Sequence, residues 1–287
     1  YISSFEDYLK NGVIERVYKA GGVNNTYYMP HHAVIKGSSS TTKVRIVFDA
    51  SSKSRDANSL NQCLKKGVIR YADIFGVLIR MRMHKILLMG DLEKAFLQIS
   101  VRKEDRDLLR FLWFEDPSKE NQEIVEFRFT RVCFGVVSSM ALLGNVLYSH
   151  FQKYRGDYPE LIQEIENSLY VDDLSLGGDD INIVYKKYEQ CNGILKNANM
   201  NLRKFKSNSS ELLNKIESVV KEGGNCKNEK MQMDDRSIAS LMTDQDEQDD
   251  NKILGLKWDK VDDNLVFEVN KLAKMGKAFK KTKRNLL

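Results

Sequence analysis

Apolar residues along this chain fall into short unbroken runs and longer periodic ones. Ile86-Leu87-Leu88-Met89 is a continuous apolar run closed by Gly90 and Asp91, the pattern of a core strand, and Val44-Arg45-Ile46-Val47-Phe48 has the β-branched and aromatic content of another. Asp73 to Met83 carries helical periodicity and leads into the strand that ends at Asp91. Val136 to Tyr154 has few charges, several Leu and no Pro, which predicts a long helix, and a further helix is expected from Asp180 to Ala198. Residues up to about Leu64 read as short strands and turns. Glu222 to Asp250 differs in kind: it is rich in Gly, Asn, Asp and Gln without a strong period, and reads as a disordered or loosely held insertion. Without an internal repeat, these patterns predict an α+β chain.

The chemistry lies where two of these patterns end. Tyr170-Val171-Asp172-Asp173 stands between Ser168-Leu169 and Leu174-Ser175-Leu176-Gly177-Gly178, which predicts a tight hairpin with two carboxylates at its tip. Alone, an Asp-Asp pair is an ordinary solvated turn. The apolar strand ending in Asp91 changes that. If the two strands lie side by side, Asp91, Asp172 and Asp173 converge, and that much negative charge requires cations to neutralise it. Two-metal phosphoryl transfer is the chemistry this implies: Mg2+ ions roughly 4 Å apart activate an attacking 3′-hydroxyl and stabilise the departing pyrophosphate.

Composition narrows the class. A chain of 287 residues with 42% apolar content can bury a large core in one or two domains. No apolar run approaches the roughly 20 residues that span a bilayer, so no membrane partner is expected, and the N-terminus lacks the basic and apolar regions of a signal peptide. The absent initiator Met is read as the mark of a fragment of a longer polyprotein. Cys63, Cys133, Cys191 and Cys226 are far apart with no Cys-x-x-Cys spacing, so free thiols in a reducing compartment are expected rather than a zinc site or a disulfide framework. The net charge of +5 hides an asymmetry: Asp234 to Asp250 holds seven acids against Arg236, and setting that local −6 aside leaves +11 on the remainder, a balance suited to a polyanion. Lys271, Lys274, Lys277 and Lys280 recur at nearly every third position and would lie along one side of a helix, with no acid after them.

Taken together, the motifs resemble a family: the reverse transcriptases of long-terminal-repeat retroelements, and within them the BEL/Pao retrotransposons. The resemblance runs through Tyr27-Tyr28-Met29-Pro30-His31-His32-Ala33-Val34-Ile35-Lys36, Lys43 to Ser51, Ser59-Leu60-Asn61 and the Asp91 segment. It continues in Leu109-Arg110-Phe111-Leu112-Trp113, Phe134-Gly135-Val136-Val137-Ser138-Ser139, the Asp172-Asp173 pair, Leu202 to Asn208 and Leu254-Gly255-Leu256-Lys257-Trp258. It implies a right-hand polymerase fold: fingers over residues 1–84, a palm with an antiparallel sheet backed by helices and remaining fingers elements over 85–221, the acidic insertion over 222–250, and a primer-grip hairpin with the start of a thumb over 251–287. The implied activity is RNA-directed DNA polymerisation with Asp91, Asp172 and Asp173 as catalytic metal ligands and two Mg2+ ions, Mn2+ being a substitute. The implied partners are an RNA or DNA template, a tRNA-type or DNA primer and dNTPs. Protease, RNase H and integrase domains of the same Pol polyprotein are expected outside this chain, and the cytoplasm, within virus-like particles, is the expected setting.

The resemblance also assigns roles to further residues. Arg45, with Lys43 beside it, falls where such enzymes hold the incoming triphosphate, a task that suits the forked guanidinium. Phe96 falls at the aromatic gate that excludes a 2′-hydroxyl, with an ordinary core Phe as the alternative. Phe134 and Gly135 match the element supporting the base and template, where Gly lets the backbone come close. Lys204 matches the candidate general acid, with Lys206 as a competitor. Leu254, Gly255 and Trp258 match the primer grip, and Lys271, Lys274, Lys277 and Lys280 a thumb helix on the nucleic-acid backbone. Two positions depart from the family pattern: Met140 replaces a Pro after the Ser pair, and Phe205 stands where Trp is usual. A binding-only retroelement remnant is the second hypothesis. An aspartic protease is set aside, because no Asp-Thr-Gly or Asp-Ser-Gly triplet occurs.

Overall fold

The apolar strand that carries Asp91 is one of the two inner strands of a four-stranded antiparallel sheet and runs one residue past it, to Leu92. In the computed structural model, which describes residues 2–18, 26–35, 44–115, 123–222, 252–260 and 262–266, the chain runs α1 (Ile2–Lys10), β1 (Ile14–Arg16), β2 (His31–Ile35), β3 (Val44–Phe48), α2 (Leu60–Cys63), α3 (Ile74–Arg82), β4 (Ile86–Leu92), β5 (Arg110–Phe114) and β6 (Ile124–Phe129). It continues through α4 (Ser139–Gln152), α5 (Pro159–Ser168), β7 (Leu169–Tyr170), β8 (Asp173–Gly178), α6 (Ile181–Lys196), β9 (Leu202–Ser207), α7 (Ser210–Glu222), β10 (Lys252–Ile253), β11 (Leu256–Asp259) and β12 (Asn264–Val266). The sheets are ordered β7-β8-β4-β9, β1-β6-β5, β2-β3 and β10-β11-β12, and all their pairings are antiparallel. This is an α+β chain.

Local chemistry explains the helix boundaries. Asp73 caps α3 by accepting a hydrogen bond from the Gly76 amide at 2.9 Å, and Asp180 caps α6 through the Asn182 amide at 2.7 Å. Pro159 occupies the first position of α5, where its missing N–H costs nothing. The N-terminal stretch, expected to hold only strands and turns, contains α1 and the single turn α2. The first packs Phe5 into the core, and the second is closed by a capping box between Ser59 and Gln62.

One core lies against the β1-β6-β5 sheet. Phe5, Phe48, Phe111, Phe127 and Phe129 are buried there, with Phe111 stacked on Phe5 at 5.4 Å and Phe48 edge-on to Phe129 at 4.8 Å. Each buried ring contributes about 1.5–3 kcal/mol. His31 joins the cluster, its ring 5.6 Å from Phe111 and its Nε2 2.9 Å from the Leu112 carbonyl; burial lowers its pKa, which favours a neutral packing residue. Beside these rings runs an ionic network in which Asp107 accepts from Arg110 Nε at 2.9 Å and from Arg128 at 2.7 Å, while Arg110 also reaches Glu126 at 2.7 Å.

The chain divides into two units, Tyr1–Ser237 and Ile238–Leu287. In the second, β10 and β11 are joined by Leu254 and Gly255, both with positive φ (+46° and +85°), as the tightest hairpin turns require. Trp258 on β11 is fully buried and donates its indole N–H to Asp263 at 2.9 Å. The insertion's residues 223–250, the lysines from Lys271 to Lys280, and Lys43 lie outside the described residues.

Candidate active site

The register of the four-stranded sheet sets the carboxylates. β4 pairs with β8 so that Asp91 faces Asp173, and with β9 so that Asp91 also faces Arg203. Three strand ends therefore present a row of Asp173, Asp91 and Arg203. The β7–β8 hairpin closes on Val171 and Asp172, and Leu92 on β4 donates its amide to the Asp172 carbonyl at 2.7 Å, fixing the turn against the strand. Val171 has a φ of +60°, a conformation that a β-branched residue adopts only under constraint from its surroundings.

β9 holds one residue more than β4 at this point. Met89 pairs with Lys206 and Asp91 with Arg203, so two residues, Lys204 and Phe205, lie opposite Gly90, and Lys204 takes a φ of +53°. The bulge turns Phe205 toward Gly90, whose Cβ would sit 3.1 Å from that ring, while Arg203 and Lys206 both face the Asp91 side. Gly90 is thus the residue that admits Phe205 behind β4. Phe205 packs edge-on against Tyr188 at 5.2 Å.

Electrostatics single out one carboxyl. Burial, and next the charge of Asp91, push Asp173 up to about 6, with Lys206 and then Lys204 pulling the other way. Burial first and the neighbouring charge second disfavour the ionised form, and an oxygen-preferring dication would relieve both. Asp91 and Asp173 fit such an ion. Asp172 is 3% exposed and lies within electrostatic reach of Tyr71, whose phenol is pushed up by burial and then by the Asp172 charge. Among the described residues, no three His, Cys, Asp or Glu side chains form one metal-holding cluster. The expected three-way convergence is therefore present here as a close pair, Asp91 with Asp173, and a buried neighbour.

The aromatic elements form a contiguous wall. Phe96 is 1% exposed and packs against Phe134 with ring centroids 4.7 Å apart. Gly135 has a φ of +88°, and a Cβ there would run into the Phe48 carbonyl oxygen, so the turn after Phe134 is pressed against the end of β3. The Asn61 side chain stitches these pieces: its amide nitrogen donates to Ser51 Oγ at 2.8 Å and to the Gly135 carbonyl at 2.9 Å, and its oxygen accepts from the Val137 amide at 2.8 Å. Arg45 is half-buried on β3 opposite Val34, in the two-stranded sheet. Lys204 is exposed and Lys206 half-buried.

Sequence reasoning attached no role to Asn61 or to Arg203. Nothing local marks Asn61, whose side-chain partners lie 10, 74 and 76 positions away. Arg203 comes opposite Asp91 only through the bulge.

An antiparallel sheet presenting paired carboxylates at the end of an inner strand, with two lysines whose charges act on one of them, fits a nucleotidyl-transferring polymerase. The comparison with known families agrees: residues 35–257 match the reverse transcriptase (RNA-dependent DNA polymerase) family, and the chain belongs to it. It is accordingly an RNA-directed DNA polymerase with a palm-type fold, acting on a nucleic-acid template and primer with dNTPs, and reverse transcriptases work with divalent metal ions. Among curated proteins, none matches the chain.

Proposed function

We propose that this chain is the polymerase part of a BEL/Pao-type long-terminal-repeat retrotransposon's Pol polyprotein, extending a primer 3′-hydroxyl with dNTPs through two-metal phosphoryl transfer. The observation that carries the reading is Asp91 opposite Asp173 at the end of β4, with Asp172 in the adjoining turn. Mg2+ held by these carboxylates would supply an activated 3′-oxygen and stabilise charge on the pyrophosphate.

The remaining steps fall to the chain's own residues. Lys204, with Lys206 as its competitor, would give a proton to the leaving pyrophosphate; the charges of both lysines act on Asp173. Arg45 and Lys43 take the triphosphate oxygens. Phe96 closes the space beside the sugar's C2′, and Phe134 and Gly135 support the base from the turn that Asn61 holds. Leu254, Gly255 and Trp258 press on the primer, while Lys271, Lys274, Lys277 and Lys280 follow the backbone phosphates. Fingers up to residue 84, a palm to residue 221, and a primer grip with the beginning of a thumb after residue 250 complete the assignment. A protease, an RNase H and an integrase complete the polyprotein, and the setting is the cytoplasm, in virus-like particles.

Primer extension on a poly-A template tests the reading. Extension with Mg2+ or Mn2+ that EDTA stops is the expected result. Retention of template-primer without any extension would replace the polymerase with a binding-only remnant.

A further inference from the structure

Arg203 sits among acids at the catalytic end of the sheet. Its Nε is 3.5 Å from Asp91 Oδ2, and its Nη1 donates to Glu93 Oε1 at 2.9 Å. Glu93 is held in turn: its other oxygen accepts from Asn201 Nδ2 at 3.1 Å, and its backbone amide donates to the Asn201 carbonyl at 2.8 Å. The closer ion pair is thus with the residue that has no place in the chemistry. The longer one is with the carboxylate that has.

We propose that Arg203 is a positioning residue serving as a built-in counter-ion for Asp91, and that Glu93 is the tether that limits its grip. Asp91 borders Asp173 on one side and Arg203 on the other, so a guanidinium there offsets the like-charge pair when no dication is present. A guanidinium fully committed to Asp91 would compete with a metal ion for the same carboxylate. Glu93 prevents this by taking the shorter, charge-assisted hydrogen bond. The resulting arrangement holds Asp91 in place yet releases it to an incoming cation. The inference rests on the active-site reading above.

Opposite signs distinguish this role from a structural one. Titration of the full chain with Mn2+, followed by loss of the free-ion paramagnetic signal, needs neither nucleic acid nor turnover. Arg203→Gln should bind Mn2+ more tightly than the unmodified chain by roughly fivefold, the scale of one nearby charge after screening. Glu93→Gln, which frees the guanidinium for Asp91, should bind it more weakly by a similar factor. Arg203→Lys keeps the charge and should change affinity least, and circular dichroism confirms that each variant is folded. If Asp91→Asn abolishes Mn2+ binding while Arg203→Gln and Glu93→Gln shift affinity in the same direction, or leave it unchanged, the counter-ion role is wrong and the active site stands. If Asp91→Asn binds Mn2+ as well as the unmodified chain, the active-site reading itself is overturned.

Discussion

Asp107 and Asp173 are both buried or nearly so, both lie on or beside a sheet, and both have arginine or lysine nearby, yet their acidities move in opposite directions. Around Asp107, burial would raise the pKa, but hydrogen bonds from Arg128 and Arg110 prevail and hold the carboxyl below the usual range. Around Asp173, burial and the charge of Asp91 prevail over two lysines, and the carboxyl is held up to about 6. The first group is an anion whose partners are built into the fold. The second is an anion disfavoured by burial and by a like charge, a condition that a cation from outside would relieve.

Neutralising the carboxylates should separate the two regions most sharply. Asp91→Asn and Asp172→Asn should each lower single-turnover primer extension by at least about a thousandfold while leaving template-primer affinity nearly intact, since a metal ligand is lost and no phosphate contact is. Equal loss of binding and extension would break the contrast.

Asp107→Asn should instead cost folding, on the order of 3 kcal/mol in urea denaturation at pH 7, because it leaves the Arg110 guanidinium, 4% exposed, with a lost partner. A depressed carboxyl stabilises the fold above its ordinary pKa, and that contribution is lost as pH falls through the folded value; the penalty of the substitution should therefore shrink in strong acid.

Asp173→Asn should have the reverse sign. A folded pKa raised from 3.8 to about 6 stabilises fully only below 3.8, and the benefit is lost as pH rises through about 6. Removing the charge should thus stabilise the metal-free chain at pH 8, on the order of 2 kcal/mol after allowance for solvent screening, and do almost nothing at pH 4. Destabilisation at pH 8 would show that Asp173 is structurally paired, as Asp107 is.

The smallest effect should come from the aromatic wall. Phe96→Val should raise the ratio of ribonucleotide to deoxynucleotide incorporation by on the order of tenfold. A constant ratio with lowered stability would make Phe96 a core residue alone, like the rings around Phe111.

The same contrast runs through what the residues alone made legible. The strand Val44–Phe48, the strand ending in Asp91, and the helices capped by Asp73 and Asp180 stand out because each combines a strong period or apolar run with an unambiguous boundary residue. Helix α1 did not: it spans nine residues and buries only Ser4 and Phe5, too little apolar pattern to distinguish from a turn. Helices α5 and α7 carried readable boundaries in Pro159 and in Ser209, whose hydroxyl accepts from the Leu212 amide at 3.3 Å, and were missed beside the more prominent hairpin and insertion. At the site, the facing of Asp91 and Asp173 follows from two apolar strands each ending in an acid. The facing of Asp91 and Arg203 does not, because it depends on the extra residue of β9, and the Asn61 bridge depends on contacts across 74 positions of chain.

That extra residue is the one member of β9 that the alternation of the sheet does not require. Removing Lys204 would leave Phe205 alone opposite Gly90, with Arg203 still facing Asp91 and Lys206 still facing Met89, so the strand would regain simple alternation and no side chain would change faces. Removing Phe205 instead would turn Lys204 into the hydrocarbon behind Gly90. Folding should therefore absorb the loss of one codon at Lys204 as slack and fail to absorb the same loss one position later.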